Sequence, residues 1–302
     1  QHYDGTRINE EVYILDTSHP DAFAYVRHVF RTLRSFGITM FKTDFMDWGL
    51  KDSLRVRRHT PGKTSVAYFV DVLAMIREEI GDDSHWLACI SPYAPFIGFA
   101  DSMRVANDVG AEWSPGGLGN MLNETFFSQY FNALYWQNDP DVLYLRNHFT
   151  HLNDEETRTL ALWNGLLGGS INTSDDFAAL PPERLALWRF LQPGPRHATA
   201  RLPFWDGARR LLVAVRPLPR RAAAVLVVNP LNEPVTEQFA LRQLTGASAS
   251  HVSLWQPAPV ALLGRMTTLT VTLAPHASRL FYLSTTPAMP PSRLTPCPVR
   301  RS

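Results

Sequence analysis

The stretch GITMFKTDF, residues 37–45, decides the fold, because it has the composition of a short strand and directly follows an amphipathic helical pattern at 21–36. A glycine that ends a helix and leads straight into a strand is typical of the βα crossovers that build parallel sheets. Successive strand side chains point to opposite faces, so Lys42 and Asp44 share a face with Met40. Two charged side chains on one strand face are costly unless they are used, and the choice is between a binding site and a structural ion pair.

The first two thirds of the chain repeat this alternation of helix and strand. After the first unit, the sequence predicts strands at 86–90, 102–105, 142–145 and 170–174 and helices at 64–80, 118–136, 155–167 and 181–191. This alternation of five βα units predicts an α/β fold with a parallel sheet. Five units cannot close an eight-stranded barrel, because the open edges would leave backbone groups unpaired. We therefore expect the later strands and helices of a partial (β/α)8 TIM barrel, with a doubly wound sheet as the alternative.

The last third of the chain has a different pattern of hydrophobic residues. Short β-rich runs separated by turn signals such as Asn229-Pro230 replace the helical period, which predicts an antiparallel β-sandwich. After residue 285, prolines and arginines accumulate with almost no apolar pattern, as in disordered segments. The expected regions are the C-terminal portion of a catalytic barrel at 1–198, an all-β C-terminal sandwich at 199–285 and a disordered tail at 286–302.

Composition limits the class of ligand. The chain has 302 residues, 45% of them hydrophobic, and its 29 lysines and arginines nearly balance 28 aspartates and glutamates. This balance lacks the electrostatic footprint of a protein that binds nucleic acid or an anionic membrane. We therefore expect no nucleic-acid partner and no membrane partner, and favour a neutral small molecule such as a sugar. Homo-oligomer formation stays open.

The two cysteines and ten histidines form neither a disulfide framework nor a metal pattern. Cys89 lies in an apolar run and Cys297 in the tail, while His148 and His151 have no third ligand nearby. We expect no metal and no cofactor. No apolar run approaches the roughly 18 residues of a membrane span, and no stretch at the start resembles a signal peptide, although the chain begins without Met. The compartment stays open, with a cytoplasmic location favoured.

A second acidic residue matches Asp44 in position. Asp108 follows the third predicted strand and lies four residues beyond Arg104. Parallel barrels bring the ends of neighbouring strands together, and retaining glycosidases need two carboxylates about 5 Å apart, one to attack the sugar and one to protonate the leaving oxygen. The pair suggests Asp44 as nucleophile and Asp108 as general acid/base. A turn-forming or helix-capping role for Asp108 is the alternative, and Asp47 and Asp101 are rival carboxylates.

Five short motifs follow one another along the chain. They are YILDTSHP (13–20), KTDF (42–45), DSMRVAND (101–108), NDPD (138–141) with Leu145-Arg146 after it, and SDD (174–176). In this order they resemble the melibiase-type α-galactosidases of glycoside hydrolase family 36, a group that also includes raffinose and stachyose synthases. Each motif is weak alone, but together they cover most of the chain and make a specific signal.

The resemblance implies a role for each matching residue. By it, Asp44 is the nucleophile that forms a glycosyl-enzyme ester, and Asp108 is the acid that then becomes the base for water. The residues implied to contact the substrate are Lys42, Cys89, Arg104 and Trp113. Without the resemblance, a cysteine in an apolar strand is simply a small hydrophobic residue. The implied substrate is an oligosaccharide that ends in α-galactose, and the implied reaction is hydrolysis without a cofactor.

Two departures from the family pattern bear on specificity. The segment ACISPY (88–93) replaces the glycines and serines that family members place around the cysteine, and MDW (46–48) after the nucleophile is bulkier than expected. In this family, the residues that read the sugar's 4- and 6-hydroxyls come from early strands that this sequence does not contain. A transglycosylase of the raffinose-synthase type and a catalytically inactive carbohydrate-binding fragment are therefore the alternatives to hydrolysis.

Overall fold

The computed structural model describes residues 14–50, 56–114, 118–194, 199–204 and 209–295. The first residue of the YILDTSHP motif, the segment PGG at 115–117 and the end of the tail at 296–302 lie outside these ranges. The chain divides into two compact units, Gln1–Arg104 and Val105–Ser302. Within the described ranges, no helix combines the length and the apolar character that crossing a membrane demands.

The first unit alternates helices with parallel strands, as the sequence predicts. Its elements are α1 (Pro20–Ser35), β1 (Met40–Thr43), a 3-10 helix (Met46–Leu50), α2 (Ser65–Ile80), β2 (His85–Ala88), α3 (Tyr93–Phe96) and β3 (Ser102–Arg104). Strand β1 pairs in parallel with β2, and β2 pairs in parallel with β3. The carboxyl ends of all three strands therefore lie along one edge of this sheet.

Local signals in the sequence set the helix boundaries of this unit. The His19 side chain accepts a hydrogen bond from the Asp21 backbone, which caps α1, and Thr64 caps α2 in the same way. Gly37 follows α1 with a φ of 82° and Gly81 follows α2 with a φ of 76°, both in the left-handed region that glycine adopts without strain. The βα crossovers predicted from these glycines are confirmed.

The core of the first unit lies between α2 and the sheet. Trp86 on β2 is fully buried and contacts Phe96 edge to face, with ring centroids 5.4 Å apart. Phe96 in turn contacts Phe69 of α2 at 5.7 Å. Edge-to-face aromatic pairs of this kind add to the stability that burial alone provides, and they hold β2 beneath the site.

The second unit begins with three helices and three short strands. These elements are α4 (Leu118–Phe127), β4 (Gln137–Asp139), β5 (Val142–Leu143), α5 (Asp154–Leu167), β6 (Asn172–Thr173) and α6 (Pro182–Leu191). Strand β5 pairs in parallel with β6. Asn153 and Glu156 cap the start of α5 reciprocally, which explains why this helix begins where it does.

The prediction of one helix at 118–136 is wrong in its second half. Helix α4 ends at Phe127, a short 3-10 helix covers Gln129–Phe131, and Ala133 has a φ of 61°. A residue with that φ cannot continue a right-handed helix, so the chain reverses and enters β4. Local pattern does not predict β4, because its three residues, QND, are polar and show no alternation.

The C-terminal part of the second unit is rich in antiparallel sheet, as predicted. Its strands are β7 (Leu212–Leu218), β8 (Ala222–Val228), β9 (Val235–Ala240), β10 (Ser250–Gln256), β11 (Ala261–Met266), β12 (Thr268–Leu273) and β13 (Ser278–Ser284), with α7 (Leu241–Thr245) after β9. One sheet has the order β11-β10-β13-β8-β7, and β12 pairs with β9 in a second. Buried side chains from both sheets, among them Val227 and Phe239, belong to one apolar core.

The segment at 286–295 differs from the expected disordered tail. Leu294 is fully buried, and its backbone N–H donates to the Phe190 carbonyl at 2.9 Å. The buried Arg216 guanidinium donates to the Leu294 carbonyl at 3.1 Å, and the Trp255 indole N–H donates to the Pro291 carbonyl at 3.0 Å. These contacts hold the segment in place, although its composition alone is that of a loop. The expected division at 198/199 stays a proposal.

A close approach of two backbone segments makes Gly169 a critical position. We expect Gly169→Ala to destabilise the protein much more than Gly246→Ala. Both glycines have a positive φ, of 115° and 80° respectively, so each alanine costs about 1–2 kcal/mol of backbone strain. A Cβ at 169 would also lie 2.1 Å from the Asn138 carbonyl oxygen, whereas a Cβ at 246 meets nothing within 4 Å. Overpacking should add about 1–3 kcal/mol at 169.

Urea unfolding followed by circular dichroism measures this difference directly. Equal losses of unfolding free energy in the two variants would contradict the close approach of Gly169 to Asn138.

Candidate active site

The register of the parallel strands brings three predicted residues into one row. The paired positions at the ends of the three strands are Thr43, Ala88 and Met103. The next residue on each strand is therefore Asp44, Cys89 or Arg104. A hydrogen bond of 2.8 Å from the Cys89 backbone N–H to the Thr43 carbonyl continues the pairing past the end of β2.

The faces of β1 are those predicted from its alternation. Phe41 and Thr43 are buried, whereas Met40, Lys42 and Asp44 are exposed. The carboxylate therefore lies on the accessible side of this unit. Its Oδ1 accepts a hydrogen bond of 2.8 Å from the Phe45 backbone, and Phe45 has a φ of 54°. The chain thus turns immediately after Asp44, which leaves its side chain at the rim of the sheet.

The charged residues of this row act on the Cys89 thiol. The side chain is 1% exposed, and burial raises the pKa of its thiol to about 11. The positive charge of Arg104 opposes this shift, while the Asp44 carboxylate increases it by its charge and by accepting a hydrogen bond from the thiol. Lys42 contributes a further positive charge. Lys42, Asp44 and Arg104 therefore all lie within electrostatic reach of Cys89.

These four side chains combine complementary chemistry. Arg104 is 8% exposed and supplies guanidinium donors, Lys42 supplies an ammonium, and Asp44 supplies carboxylate acceptors. Donors and acceptors at close range are what a polyhydroxylated ligand requires, because each sugar hydroxyl both donates and accepts hydrogen bonds. The Cys89 thiol, kept neutral by its raised pKa, is a small donor rather than a nucleophile.

Asp108 belongs to the second unit and is exposed. Hydrogen bonds hold the backbone on both sides of it. The Asn107 N–H donates to the Glu124 carboxylate at 2.8 Å, and the Val109 N–H donates to the Asp141 carboxylate at 2.8 Å. An exposed carboxylate on a firmly held backbone is well suited to proton transfer. Sequence reasoning assigned no role to Glu124 or Asp141, and the NDPD motif that contains Asp141 was the available signal.

Trp113 belongs to the second unit and packs against a histidine. Its ring stacks on His276, with centroids 4.1 Å apart and an interplanar angle of 11°. The His276 Nδ1 lies 2.6 Å from the buried Glu156 carboxylate. One face of the indole is therefore covered by the histidine, and the predicted contact of Trp113 with substrate stays a prediction.

The rival carboxylate Asp101 has a structural position. Its Oδ2 accepts hydrogen bonds from the Trp86 backbone at 2.7 Å and from the Arg77 guanidinium at 2.8 Å. Trp86 lies near the beginning of β2, so Asp101 is at the amino end of the strands, opposite to Asp44. The second rival, Asp47, lies in the first turn of the 3-10 helix after β1, and its N–H donates to the Ile90 carbonyl at 3.2 Å.

A metal centre has no support in the part of the chain that the structure describes. Those residues include no group of three or more histidine, cysteine, aspartate or glutamate side chains placed to hold a metal ion.

Comparison with solved structures relates this fold to glycosidases. A β-L-arabinopyranosidase of family 27 from Geobacillus stearothermophilus aligns with a TM-score of 0.71 and 18% identity, over 92% of this chain and 65% of that chain. α-Galactosidase I from Mortierella vinacea aligns with a TM-score of 0.65 and 15% identity, over 88% of this chain and 73% of that chain. No protein-family model matches the chain.

A third structure has higher identity over a shorter alignment. The α-galactosidase from Thermus thermophilus in complex with p-nitrophenyl α-D-galactopyranoside is 27% identical, with a TM-score of 0.51, over 63% of this chain and 39% of that chain. The chain thus has the fold of known glycosidases and spans about two thirds of the length of the arabinopyranosidase. Since that neighbour belongs to family 27, membership of family 36 stays a proposal.

The first prediction from this site concerns the Cys89 thiol. We expect Cys89 in the native protein to be inert to Ellman's reagent at about pH 8, since a buried thiol with a raised pKa forms little thiolate. Reactivity should appear only as the pH approaches the thiol's value of about 11. The measurement uses a Cys297→Ser variant, so that one cysteine remains.

The same variant supplies its own control. Unfolding in guanidinium chloride should release one reactive thiol per chain. Rapid reaction of the native protein at about pH 8 would show that Cys89 is open to solvent as a thiolate.

The second prediction separates Asp101 from the site. We expect Asp101→Ala to lower the free energy of unfolding by about 1–3 kcal/mol, because it removes the acceptor of the Trp86 N–H and of Arg77. The matched control is Asp82→Ala, at an exposed position in the same unit. Urea titration compares the two, and equal stability of both variants would rule out the structural role.

Proposed function

We propose that this chain is the catalytic part of a retaining glycoside hydrolase that cleaves terminal α-galactosides by double displacement. The observation that carries the proposal is the cluster of Lys42, Asp44, Cys89 and Arg104 at the carboxyl ends of adjacent parallel strands. Catalytic residues of barrel enzymes come from this end of the strands. The fold shared with solved glycosidases supports the same reaction class.

In the first step, Asp44 attacks the anomeric carbon. The bond from that carbon to the leaving oxygen breaks as the ester to Asp44 forms, and the leaving oxygen takes a proton from Asp108. Lys42 and Arg104 contribute donors next to this carboxylate. The Cys89 thiol donates to the same carboxylate and helps to fix its orientation.

In the second step, Asp108 takes a proton from a water molecule, whose oxygen attacks the anomeric carbon and displaces Asp44. Two inversions give net retention. The donors of Lys42 and Arg104 would meanwhile hold sugar hydroxyls, and Trp113 would line the pocket. The reaction needs no cofactor, because each proton and electron pair is supplied by the two carboxylates, the substrate and water.

Two observations support galactose as the sugar that the site would bind. The sequence motifs resemble those of melibiase-type α-galactosidases, and the structure with 27% identity has p-nitrophenyl α-D-galactopyranoside bound. Oligosaccharides that end in α-galactose are therefore the proposed substrates.

The test uses protein expressed from the complete reading frame that encodes this chain. We expect Asp44→Gly to lose at least ~10³-fold in kcat on p-nitrophenyl α-galactoside. Azide should rescue this variant and give β-galactosyl azide, because azide then attacks the substrate directly with inversion. Asp108→Ala should lose about 10²–10⁴-fold on substrates with poor leaving groups, and azide should give the α-azide from the glycosyl-enzyme.

Asp82→Ala serves as the control carboxylate, with unchanged activity. Unreduced turnover in Asp44→Gly, or azide products of the same anomeric configuration from both variants, would sink the double-displacement assignment. Sugar binding without any turnover in the unmutated protein would favour a binding protein instead.

A further inference from the structure

Two side chains form hydrogen bonds to the peptide groups on either side of Val109, the residue directly after Asp108. The Val109 N–H donates to Asp141 Oδ2 at 2.8 Å, and the Val109 carbonyl accepts a hydrogen bond of 2.7 Å from the Tyr144 hydroxyl. Val109 itself is 4% exposed, whereas Asp108 is exposed. We call Asp141 and Tyr144 the Val109 clamp. Val109, which is buried and hydrogen-bonded through both its N–H and its carbonyl, is thus the direct neighbour of the exposed Asp108.

We propose that the Val109 clamp positions the Asp108 carboxylate for proton transfer to the leaving oxygen, and this rests on the function proposed above. Asp108 lies four residues after the end of β3, outside the regular strands. A misplacement of about 1 Å at a reacting group can cost on the order of 10²-fold in rate. The two side-chain bonds to Val109 fix the backbone directly beside this carboxylate.

The clamp is itself held by a second layer of charged groups. The Arg146 guanidinium lies over the Tyr144 ring, 4.6 Å from its centroid. The buried Asp175 carboxylate accepts hydrogen bonds from the Leu145 N–H at 2.7 Å and from the Arg146 N–H at 3.3 Å. Asp175 therefore fixes the backbone that carries Tyr144, and Arg146 limits the tilt of the phenol ring.

Asp141 is oriented by an unusual backbone conformation. Its φ is 77°, which aspartate tolerates better than most residues. Its N–H donates to Asp139 Oδ1 at 3.1 Å, and Asn172 donates to the same oxygen at 3.3 Å. This tight turn directs the Asp141 carboxylate back toward the Val109 N–H. Asp139 and Asp141 belong to the NDPD motif and Asp175 to the SDD motif.

The Tyr144 hydroxyl stays protonated at neutral pH, because its pKa is raised above the ordinary value of 10. Burial raises the pKa of the phenol, and the charges of Asp141, Asp108 and Asp175 raise it further, against the opposing charge of Arg146. A raised pKa means that the phenol donates to Val109 at all lower pH values and loses this bond only in strong alkali. The pH dependence of activity then belongs to other groups.

The clamp should matter most for substrates whose leaving group needs a proton. A sugar alkoxide is a poor leaving group and requires general acid catalysis, whereas 2,4-dinitrophenolate departs without it. A residue that only stabilises the fold would affect both substrates equally. A residue that positions the acid affects the ratio between them.

The experiment compares kcat/KM for melibiose and 2,4-dinitrophenyl α-galactoside, with protein from the complete reading frame. We expect Tyr144→Phe and Asp141→Gly to lower kcat/KM about tenfold or more on melibiose and no more than about twofold on the dinitrophenyl substrate. Glycine is chosen at 141 because it accepts the positive φ. Asp141→Asn keeps an acceptor oxygen and should recover most of the melibiose activity.

Two further readouts separate positioning from general damage. Azide should raise kcat of Tyr144→Phe on the dinitrophenyl substrate, since attack by azide on the glycosyl-enzyme needs no base. The control is Tyr130→Phe at a tyrosine that is 77% exposed in the same unit, which should match the unmutated protein. If Asp141→Gly does not fold, Tyr144→Phe decides the question, because it removes a single oxygen.

The outcomes distinguish the two proposals. If Asp108→Ala shows the split between substrates and Tyr144→Phe does not, the clamp has no positioning role. If Asp108→Ala shows no split, the acid/base assignment itself is wrong.

Discussion

The register of parallel pairing between β1, β2 and β3 is the constraint on which the site depends. Because Thr43, Ala88 and Met103 are paired, the next residues of the three strands meet at the same level of the sheet. A slip of one residue on β1 would exchange its faces and bury Lys42 and Asp44 in place of Phe41 and Thr43. A slipped register would therefore be disfavoured by the free-energy cost of burying two charges. The native register is also stabilised by the apolar side chains on the opposite face of β1.

Strand β3 separates the Asp101 carboxylate at its start from the Arg104 guanidinium at its end. Asp101 precedes the strand and binds Arg77 and the start of β2, while Arg104 ends the strand beside Cys89. The two charges belong to one motif, DSMRVAND, yet lie at opposite ends of the sheet. In barrel enzymes the amino end contributes stability and the carboxyl end contributes chemistry. The same division explains why a motif of eight residues contains charges with unrelated tasks.

Sequence reasoning predicted the elements that have a strong hydrophobic period and the strand ends that follow them. It recovered α1, α2 and α5 within two residues at each end, and the alternation of β1 gave the correct faces. It failed where tertiary contacts override local pattern, as at Ala133, whose positive φ stops a helix that composition would continue. It also missed the packing of 286–295, because the partners of that segment, Phe190 and Arg216, are remote in sequence.

The site residues show the same difference between what a local pattern predicts and what depends on tertiary contacts. A motif can suggest Asp44, Cys89 and Arg104, because each ends a recognisable strand, and the register then brings them together. The hydrogen bonds to Val109 depend on side chains more than thirty residues away, with sequence separations of 32 and 35. No local pattern encodes such pairs. The NDPD motif marked one of the partners, and only the folded chain assigns it a task.

Buried acidic side chains in the second unit accept hydrogen bonds from backbone N–H groups, as a neighbouring strand does in a regular sheet. Strands β5 and β6 have two residues each, and backbone N–H groups outside such short strands need acceptors other than a strand partner. Asp141 and Asp175 accept from such groups, and a carboxylate is a stronger acceptor than a neutral amide. An all-acceptor side chain also brings no donor that would itself need a partner. These bonds hold irregular backbone next to Asp108, and in the function proposed above a fixed position of that carboxylate matters more than a regular strand.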